Sequence, residues 1–218
     1  MLNYIYGSEL NHFPKLRETM FTDRARQFSD RLGWSAITVN EEGFETDDYD
    51  SLNPLYVIWE TKDGTHGGSM RLLPTVGRTM VNDHFLHLTD GVKIESPLIW
   101  ECTRLCISPT SDSRVTAALV VAAGEIMSEF SIEHLVGVFY SQTGRVFGLN
   151  GIIPDILGSN GTGKDRIDVG VWEVTPIALQ RALKRLRISR ATSKAWFKSA
   201  FDRSLKSSEL TSLTKRSA

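Results

Sequence analysis

Leu16, Met20, Ala25 and Phe28 recur close to the helical period in FPKLRETMFTDRARQFSDRLG, with Pro14 near the start and Gly33 at the end, which predicts a helix over 14–32. The runs LYVIWET (55–61) and GGSMRLLPT (67–75) are apolar on both faces, and the Asp63-Gly64 pair between them predicts a hairpin. A third strand is expected over 97–108. Val115, Ala118, Leu119, Ala122, Ile126 and Phe130 form the stripe of a helix over 113–131. A strand over 134–141, a helix near 142–150, a strand over 168–174 and helices over 176–190 and 192–204 follow. Antiparallel strands first and strand-helix-strand units later predict an α/β sandwich around a mixed sheet.

Residues 35–53 break the pattern: Glu41, Glu42, Glu45, Asp47, Asp48 and Asp50 stand with little periodicity, so this stretch reads as a loop with a short strand, free to move. No repeat or linker divides the chain. The expectation is one domain over 1–218, with a basic tail from about 205 that frays.

Composition adds exclusions. With 41% hydrophobic and 23% charged residues and 7 Pro, the 218-residue chain is neither disordered nor collagenous. The longest apolar run, Ala117 to Ala123, is far short of a membrane span, and Met1 to Gly7 lacks the basic start of a secretory signal, so the chain reads as cytoplasmic. Cys102 and Cys106 on one strand would lie about 13 Å apart, too far for a disulfide, which makes them core thiols of a reducing compartment. The net charge of −1 hides an asymmetry: residues 181–218 hold eleven Lys and Arg against Asp202 and Glu209, a net of +9, and the other 180 residues net −10. Such a face attracts acidic proteins, nucleic acid or anionic membrane, and a solvated helix accounts for it equally well.

Candidate chemistry begins with charges set into apolar strands. Arg71 lies between Met70 and Leu72, Glu101 follows Trp100, and Arg104 precedes Leu105. A lone ion on a central strand costs several kcal/mol in desolvation, so each needs a partner or a ligand. Alternation sends Glu101 and Arg104 to opposite faces; if both serve one cleft, the strand contains a β-bulge. Two independent salt bridges are the simpler alternative. A second group is Arg24 and Phe28, one helical turn apart, followed by Trp34 and the acidic stretch Glu45 to Asp50. A guanidinium can fork onto a carboxylate and aromatic rings can enclose an adenine or a sulfonium. An amphipathic helix ending on a core Trp explains the same residues.

Together these residues resemble a known family. Arg24-x3-Phe28-x5-Trp34, Glu45-x-Asp47-x-Tyr49-Asp50, Gly68-Ser69-Met70-Arg71-Leu72-Leu73-Pro74-Thr75, Phe85 and Glu101-Cys102-Thr103-Arg104 stand in the order and approximate spacing of the LuxI-type acyl-homoserine lactone (autoinducer) synthases, over about residues 1–190. The resemblance implies a fold similar to the GNAT acyltransferases, a three-layer sandwich with a mixed, largely antiparallel sheet flanked by helices. It also implies a reaction in which the amine of S-adenosylmethionine takes an acyl chain, usually from acyl carrier protein, and the carboxylate then closes the lactone with release of methylthioadenosine. S-adenosylmethionine enters as a substrate, and no cofactor or metal is implied.

Residue by residue, the resemblance makes Glu101 a general base, direct or through water, with Arg71, Asp47 and Asp50 as the ion network that orders the acidic loop. It assigns Arg24, Phe28, Trp34, Phe85 and Arg104 to the S-adenosylmethionine pocket, although a structural role is the leading reading for Phe85. Met70, Thr103 and Gly137 fall to the acyl arm. An acidic carrier would dock on Arg145, Arg181 and Lys184, ahead of Lys215 and Arg216. Two departures stand out: Thr103-Arg104-Leu105 where many members have Arg-Phe, and Gly137 where a Thr is associated with 3-oxo chains, which favours unsubstituted or 3-hydroxy chains.

Other motifs lead nowhere. Gly158 to Lys164 imitates a phosphate loop, but Asp165 replaces the hydroxyl residue and IDVGVWEV reads as a strand rather than a helix. His84 and His87 lack further ligands at zinc spacing. The alternatives are a GNAT-type N-acyltransferase using acyl-CoA and a non-catalytic ligand-sensing regulator with a basic C-terminal arm. Ile107 to Arg114 lacks the glycine-rich pyrophosphate turn of the first, and no helix-turn-helix supports nucleic-acid binding by the second.

Overall fold

In the computed structural model, which describes residues 1–34 and 37–202, the Asp63-Gly64 hairpin joins β4 (Leu55–Glu60) to β5 (His66–Pro74), with Gly64 at φ +73° in the turn. The sheet grows outward from it. The other main-sheet strands are β1 (Leu2–Tyr6), β6 (Ile99–Ile107), β7 (His134–Tyr140), β8 (Asp155–Asn160) and β9 (Ile167–Trp172), and the order is β1-β4-β5-β6-β7-β9-β8. Among the described residues only β6 and β7 pair in parallel, and every other pair of the sheet is antiparallel. A connection of helix α3 (Arg114–Glu129) carries the chain from β6 to β7, as parallel neighbours require.

One face of the sheet packs on α3, α5 (Pro176–Leu186) and a last helix, α6, whose described part is 190–202. Leu2, Leu55, Val57, Met70, Leu72 and Leu135 meet Ala118, Leu119, Ala122 and Ile126 there. Trp196, Phe197 and Phe201 of α6 close this layer against Trp59, Tyr4 and Tyr6. The opposite face carries α1 (Pro14–Ala25), where Leu16, Met20 and Phe21 pack on Ile5, Tyr56 and Ile58. The three layers and the mixed, largely antiparallel sheet are as expected.

The expected helix over 14–32 is α1 followed by a π-helical turn over Arg26–Arg31, a widening of the helix common at functional sites. The phosphate-loop imitation is a strand-turn-strand, β8 into β9, with Gly158 so close to Leu88 that a Cβ would lie 1.8 Å from its carbonyl oxygen. Among the described residues no three His, Cys, Asp or Glu gather as a metal site, and no helix is long and apolar enough to cross a membrane. Both cysteines are free thiols. The tail from about 205 lies outside the described residues.

Candidate active site

The site starts where β6 breaks its alternation. Against β5 the register steps from Ser69↔Cys106 to Arg71↔Thr103, one residue too many on β6, and Arg104 absorbs it at φ +52°. This is a β-bulge, which brings Glu101 and Arg104 to one face of the sheet, and its result is visible in the packing. Trp100 and Cys102 join the α3-side core, whereas Glu101, Thr103 and Arg104 are all turned to the α1 side. Pairing of β6 with β7 stops at Glu101↔Val136. Beyond it a cavity of about 710 Å³ runs between Cys102, Thr103 and Arg104 on one wall and Gly137, Val138, Phe139 and Tyr140 on the other.

On the α1 side, Glu45, Asp47 and Asp50 of the acidic stretch turn inward, while Glu41, Glu42 and Asp48 stay exposed. Two-residue strands β2 (Thr38–Val39) and β3 (Glu45–Thr46) pair, and Asp47 caps the 3₁₀ turn Asp48–Leu52 by accepting from Tyr49 N and Asp50 N, while Asp50 Oδ2 accepts from Asp47 N. Three guanidinium groups then meet three carboxylates. Arg24 donates Nε to Glu45 at 2.6 Å and forks both Nη onto Asp50 at 3.0 Å. Arg71 forks onto Asp47 and reaches Asp50 Oδ1 at 2.7 Å, with its Nε on Thr103 Oγ1 at 3.0 Å. Arg104 closes the ring through Glu45 Oε1 at 3.0 Å and Asp47 Oδ2 at 2.8 Å. Tyr56 Oη donates to Asp50 at 2.6 Å.

The network balances its own charge, the condition under which buried ions survive. Burial alone would raise the Asp50 carboxyl, but Arg24 and Arg71 outweigh it and hold the group well below the usual carboxylate range. Asp47 is lowered for the same reason, with Arg71 as its main partner. Glu45, fully buried, bridges Arg24 and Arg104 and is the network residue to which the sequence motif assigned no role.

Of the expected S-adenosylmethionine residues, Phe28, Trp34 and Arg104 line the cavity. Phe28 stacks on Trp34 at 4.9 Å, Trp34 leans on Tyr140 at 5.9 Å, and the Arg104 guanidinium lies 5.4 Å over the Phe28 ring. Arg24 stands behind them, fully buried in the ion network, and acts on the wall by fixing Glu45 and Asp50. Phe85 sits with Val81, Leu88, Val136 and Val169 in a separate core cluster, which fits its structural reading.

The expected acyl residues Met70, Thr103 and Gly137 also border the cavity, together with Leu119, Val120, Phe139, Phe147 and Trp172. A Cβ on Gly137 would lie 2.8 Å from Cys102 O and 2.9 Å from Trp172 Cη2. Glycine is therefore required to let the indole lie against β7, and the expected role of this position in reading the 3-position of the acyl chain meets backbone rather than open space.

Glu101 does not line the cavity. Its carboxylate accepts from Met80 N at 3.0 Å and Val81 N at 2.6 Å, holding the start of α2 (Met80–His84) against the sheet. Burial pushes its pKa above the usual glutamate value, against the pull of those two N–H groups and Arg71. Arg181 and Lys184 are exposed on α5, and Arg181 lies beside Gly151, next to the cavity-lining Asn150 and Ile152. Arg145 belongs to α4 (Gly144–Leu149), but its side chain, like Lys215 and Arg216, lies outside the described part of the molecule.

Residues 8–151 match the model of the autoinducer synthase family. An acyl-homoserine-lactone synthase of Rhizobium etli is 36% identical over 182 residues, covering 80% of this chain and 85% of that protein. The fold is shared with BjaI, a CoA-dependent acyl-homoserine lactone synthase solved with SAM and isopentyl-CoA, at a TM-score of 0.76 and 20% identity over 86% of this chain and 90% of that one. It is shared more distantly with an acyl-CoA N-acyltransferase from Pseudomonas aeruginosa, at a TM-score of 0.54 and 11% identity over 78% and 98% of the two chains. With the bulged strand, the charge-balanced network and these likenesses together, the chain belongs to the autoinducer synthase family, acyltransferases that make acyl-homoserine lactones.

Proposed function

We propose that this acyl-homoserine-lactone synthase binds S-adenosylmethionine on the α1 side of its cavity and an acyl-pantetheine arm, carried by acyl carrier protein, on the α3 side. The observation that carries the reading is the cavity's two-sidedness: aromatic rings backed by fixed carboxylates on one face of the sheet, apolar side chains on the other, joined through the gap between β6 and β7. A sulfonium suits the first surface and an alkyl chain the second.

The chemistry follows from that arrangement. The substrate amine attacks the thioester carbonyl, a C–N bond forms, and the C–S bond breaks to release the pantetheine thiol. Thr103 Oγ1 accepts from Arg71 Nε, so its own O–H is free to donate to the carbonyl oxygen as charge develops there. Glu101, two residues along the same face and roughly 7 Å away, takes the amine proton through a water. Its raised pKa makes it a stronger base than an ordinary glutamate. In the second step the substrate carboxylate attacks the carbon beside the sulfonium, the C–S bond breaks, and neutral methylthioadenosine leaves with the lactone closed.

The choice of carrier protein rests on α3. A pyrophosphate binds a helix N-terminus through free N–H groups, but here Asp112 Oδ1 already accepts from Arg114 N at 2.7 Å and brings a like charge to the place. Exposed Arg181, beside Gly151 and the cavity-lining Asn150 and Ile152, and exposed Lys184 one turn along α5 would steer an acidic carrier. Acyl-CoA is the second reading, favoured by the likeness to a CoA-dependent synthase. Incubation with S-adenosylmethionine and matched acyl-carrier and acyl-CoA donors, read by mass spectrometry for lactone and methylthioadenosine, tests both. Faster turnover with the carrier that falls steeply with salt supports the proposal; equal salt sensitivity for the two donors removes the docking face.

A further inference from the structure

Tyr49 shares the 3₁₀ turn of Asp50, but its side chain leaves the ion network and crosses to α2. The buried ring stands between two guanidinium groups, Arg71 at 5.6 Å and Arg78 at 5.4 Å from its centre. Its Oη donates to Asp83 Oδ2 at 3.0 Å, the same oxygen that accepts from Arg78 Nε and Nη2 at 3.1 and 2.9 Å. Burial and the Asp83 carboxylate push the pKa of the phenol up, so it keeps the proton it donates. Asp83 lies on α2, whose five residues are too few to hold a helix by themselves. Tertiary bonds hold it: Met80 N and Val81 N on Glu101 at 3.0 and 2.6 Å, the Asn82 amide on Ile94 N and O at 2.9 and 2.8 Å, and Asp83 on Tyr49. The two N–H groups at the start of α2 favour the ionised form of Glu101 against burial. Where α2 lies therefore decides how basic that carboxylate is.

We infer that Tyr49 is a positioning residue for the reaction: by tethering Asp83 it holds α2 on Glu101 and tunes the general base through the Met80 and Val81 N–H groups. The inference rests on the role given to Glu101 above. Without the tether the helix draws back, both N–H bonds weaken, and the carboxylate is left to burial, which favours its protonated form. The other charged and titratable groups around Glu101 are Arg71 on β5, Asp47 at the head of the 3₁₀ turn and the Cys102 thiol next along β6, and Arg78, Asp83 and His84 surround the phenol. Tyr49→Phe leaves every one of these charges in place. A change at Glu101 in that variant reports geometry.

The test is an NMR titration of the Met80 and Val81 amide protons, which report the protonation of the carboxylate they bond, in the wild type, Tyr49→Phe, Asp83→Ala and the double variant, with Glu101→Gln as the reference that abolishes the titration. In Tyr49→Phe the shared midpoint moves to higher pH and both amide protons lose part of their downfield shift. Its kcat falls about fivefold at unchanged KM for both substrates, the worth of one neutral hydrogen bond at a residue that does not line the cavity. Asp83→Ala, at an exposed residue, carries the test where Tyr49→Phe fails to fold and separates two causes. Loss of a neighbouring negative charge lowers the midpoint, whereas loss of the tether raises it. The double variant goes no further than Asp83→Ala alone. A lowered melting temperature with an unmoved midpoint makes Tyr49 a merely structural residue and overturns the inference, as does a midpoint that falls in Asp83→Ala. Near-normal turnover in Glu101→Gln contradicts the role of Glu101 itself, and with it the tuning, whatever the titration shows.

Discussion

The two halves of the cavity are built on opposite principles. On the α1 side, position is set by charge: each guanidinium bonds to two carboxylates and each carboxylate to two guanidinium groups. On the α3 side, position is set by volume: Phe139, Phe147 and Trp172 pack edge and face at 5.2 to 6.1 Å, and Trp172 fits only because residue 137 has no side chain. The first half is rigid because removing one member strands a buried ion. The second tolerates a change of shape as long as volume is kept.

The largest break in the comparison is Arg71→Met. It leaves Asp47 and Asp50 short of a partner, and a loss of about 3–5 kcal/mol is expected in urea denaturation, with turnover falling at least about 10²-fold in whatever remains folded. The pH dependence carries the same signature. Asp47 and Asp50 are held below their usual values, so their contribution is complete above about pH 4 and is lost as pH falls through the lowered values. Acid unfolding of the wild type should be steep below that point, and the variant should show a shallower fall.

Glu101→Gln comes next. The amide keeps one acceptor oxygen toward the start of α2 but cannot take a proton, so turnover drops about 10²-fold with a smaller change in melting temperature. Near-normal turnover would restrict Glu101 to holding α2. Because burial raises its pKa, the acid limb of the wild-type rate profile should lie above the ordinary glutamate range.

A smaller effect is expected from Gly137→Thr, which forces a side chain against Cys102 O and Trp172. Overpacking of this kind costs about 1–3 kcal/mol. A thermal melt should record that loss, and a mixed-donor assay should show reduced uptake of long chains rather than a gain of 3-oxo product.

Much of this was legible in the sequence. Glu101 and Arg104 set into an apolar strand left two readings, a β-bulge or two independent salt bridges, and the structure has the bulge at Arg104; the spacing of Arg24, Phe28 and Trp34 marked residues of which Phe28 and Trp34 form the aromatic wall. What escaped was set by tertiary context. Strand β1 is an edge whose Asn3 is buried and bonded to Glu60, a partner far along the chain. Strand β8 is mostly exposed and reads as loop composition. Helix α2 is five residues long and is held by a carboxylate from another strand, which no local pattern announces. Arg24, expected at the S-adenosylmethionine pocket, stands behind the cavity wall for a similar reason: its guanidinium is filled by Asp50 and Glu45.

The division into two halves is tested most directly by titrating S-adenosylmethionine into Trp34→Ala and Trp172→Ala by calorimetry. Trp34 faces the cavity from the charged half and Trp172 from the apolar half. The account predicts a Kd weakened about tenfold by Trp34→Ala, through loss of the aromatic wall facing the sulfonium, and unchanged by Trp172→Ala. Equal weakening by the two substitutions, or a loss confined to Trp172→Ala, would contradict it.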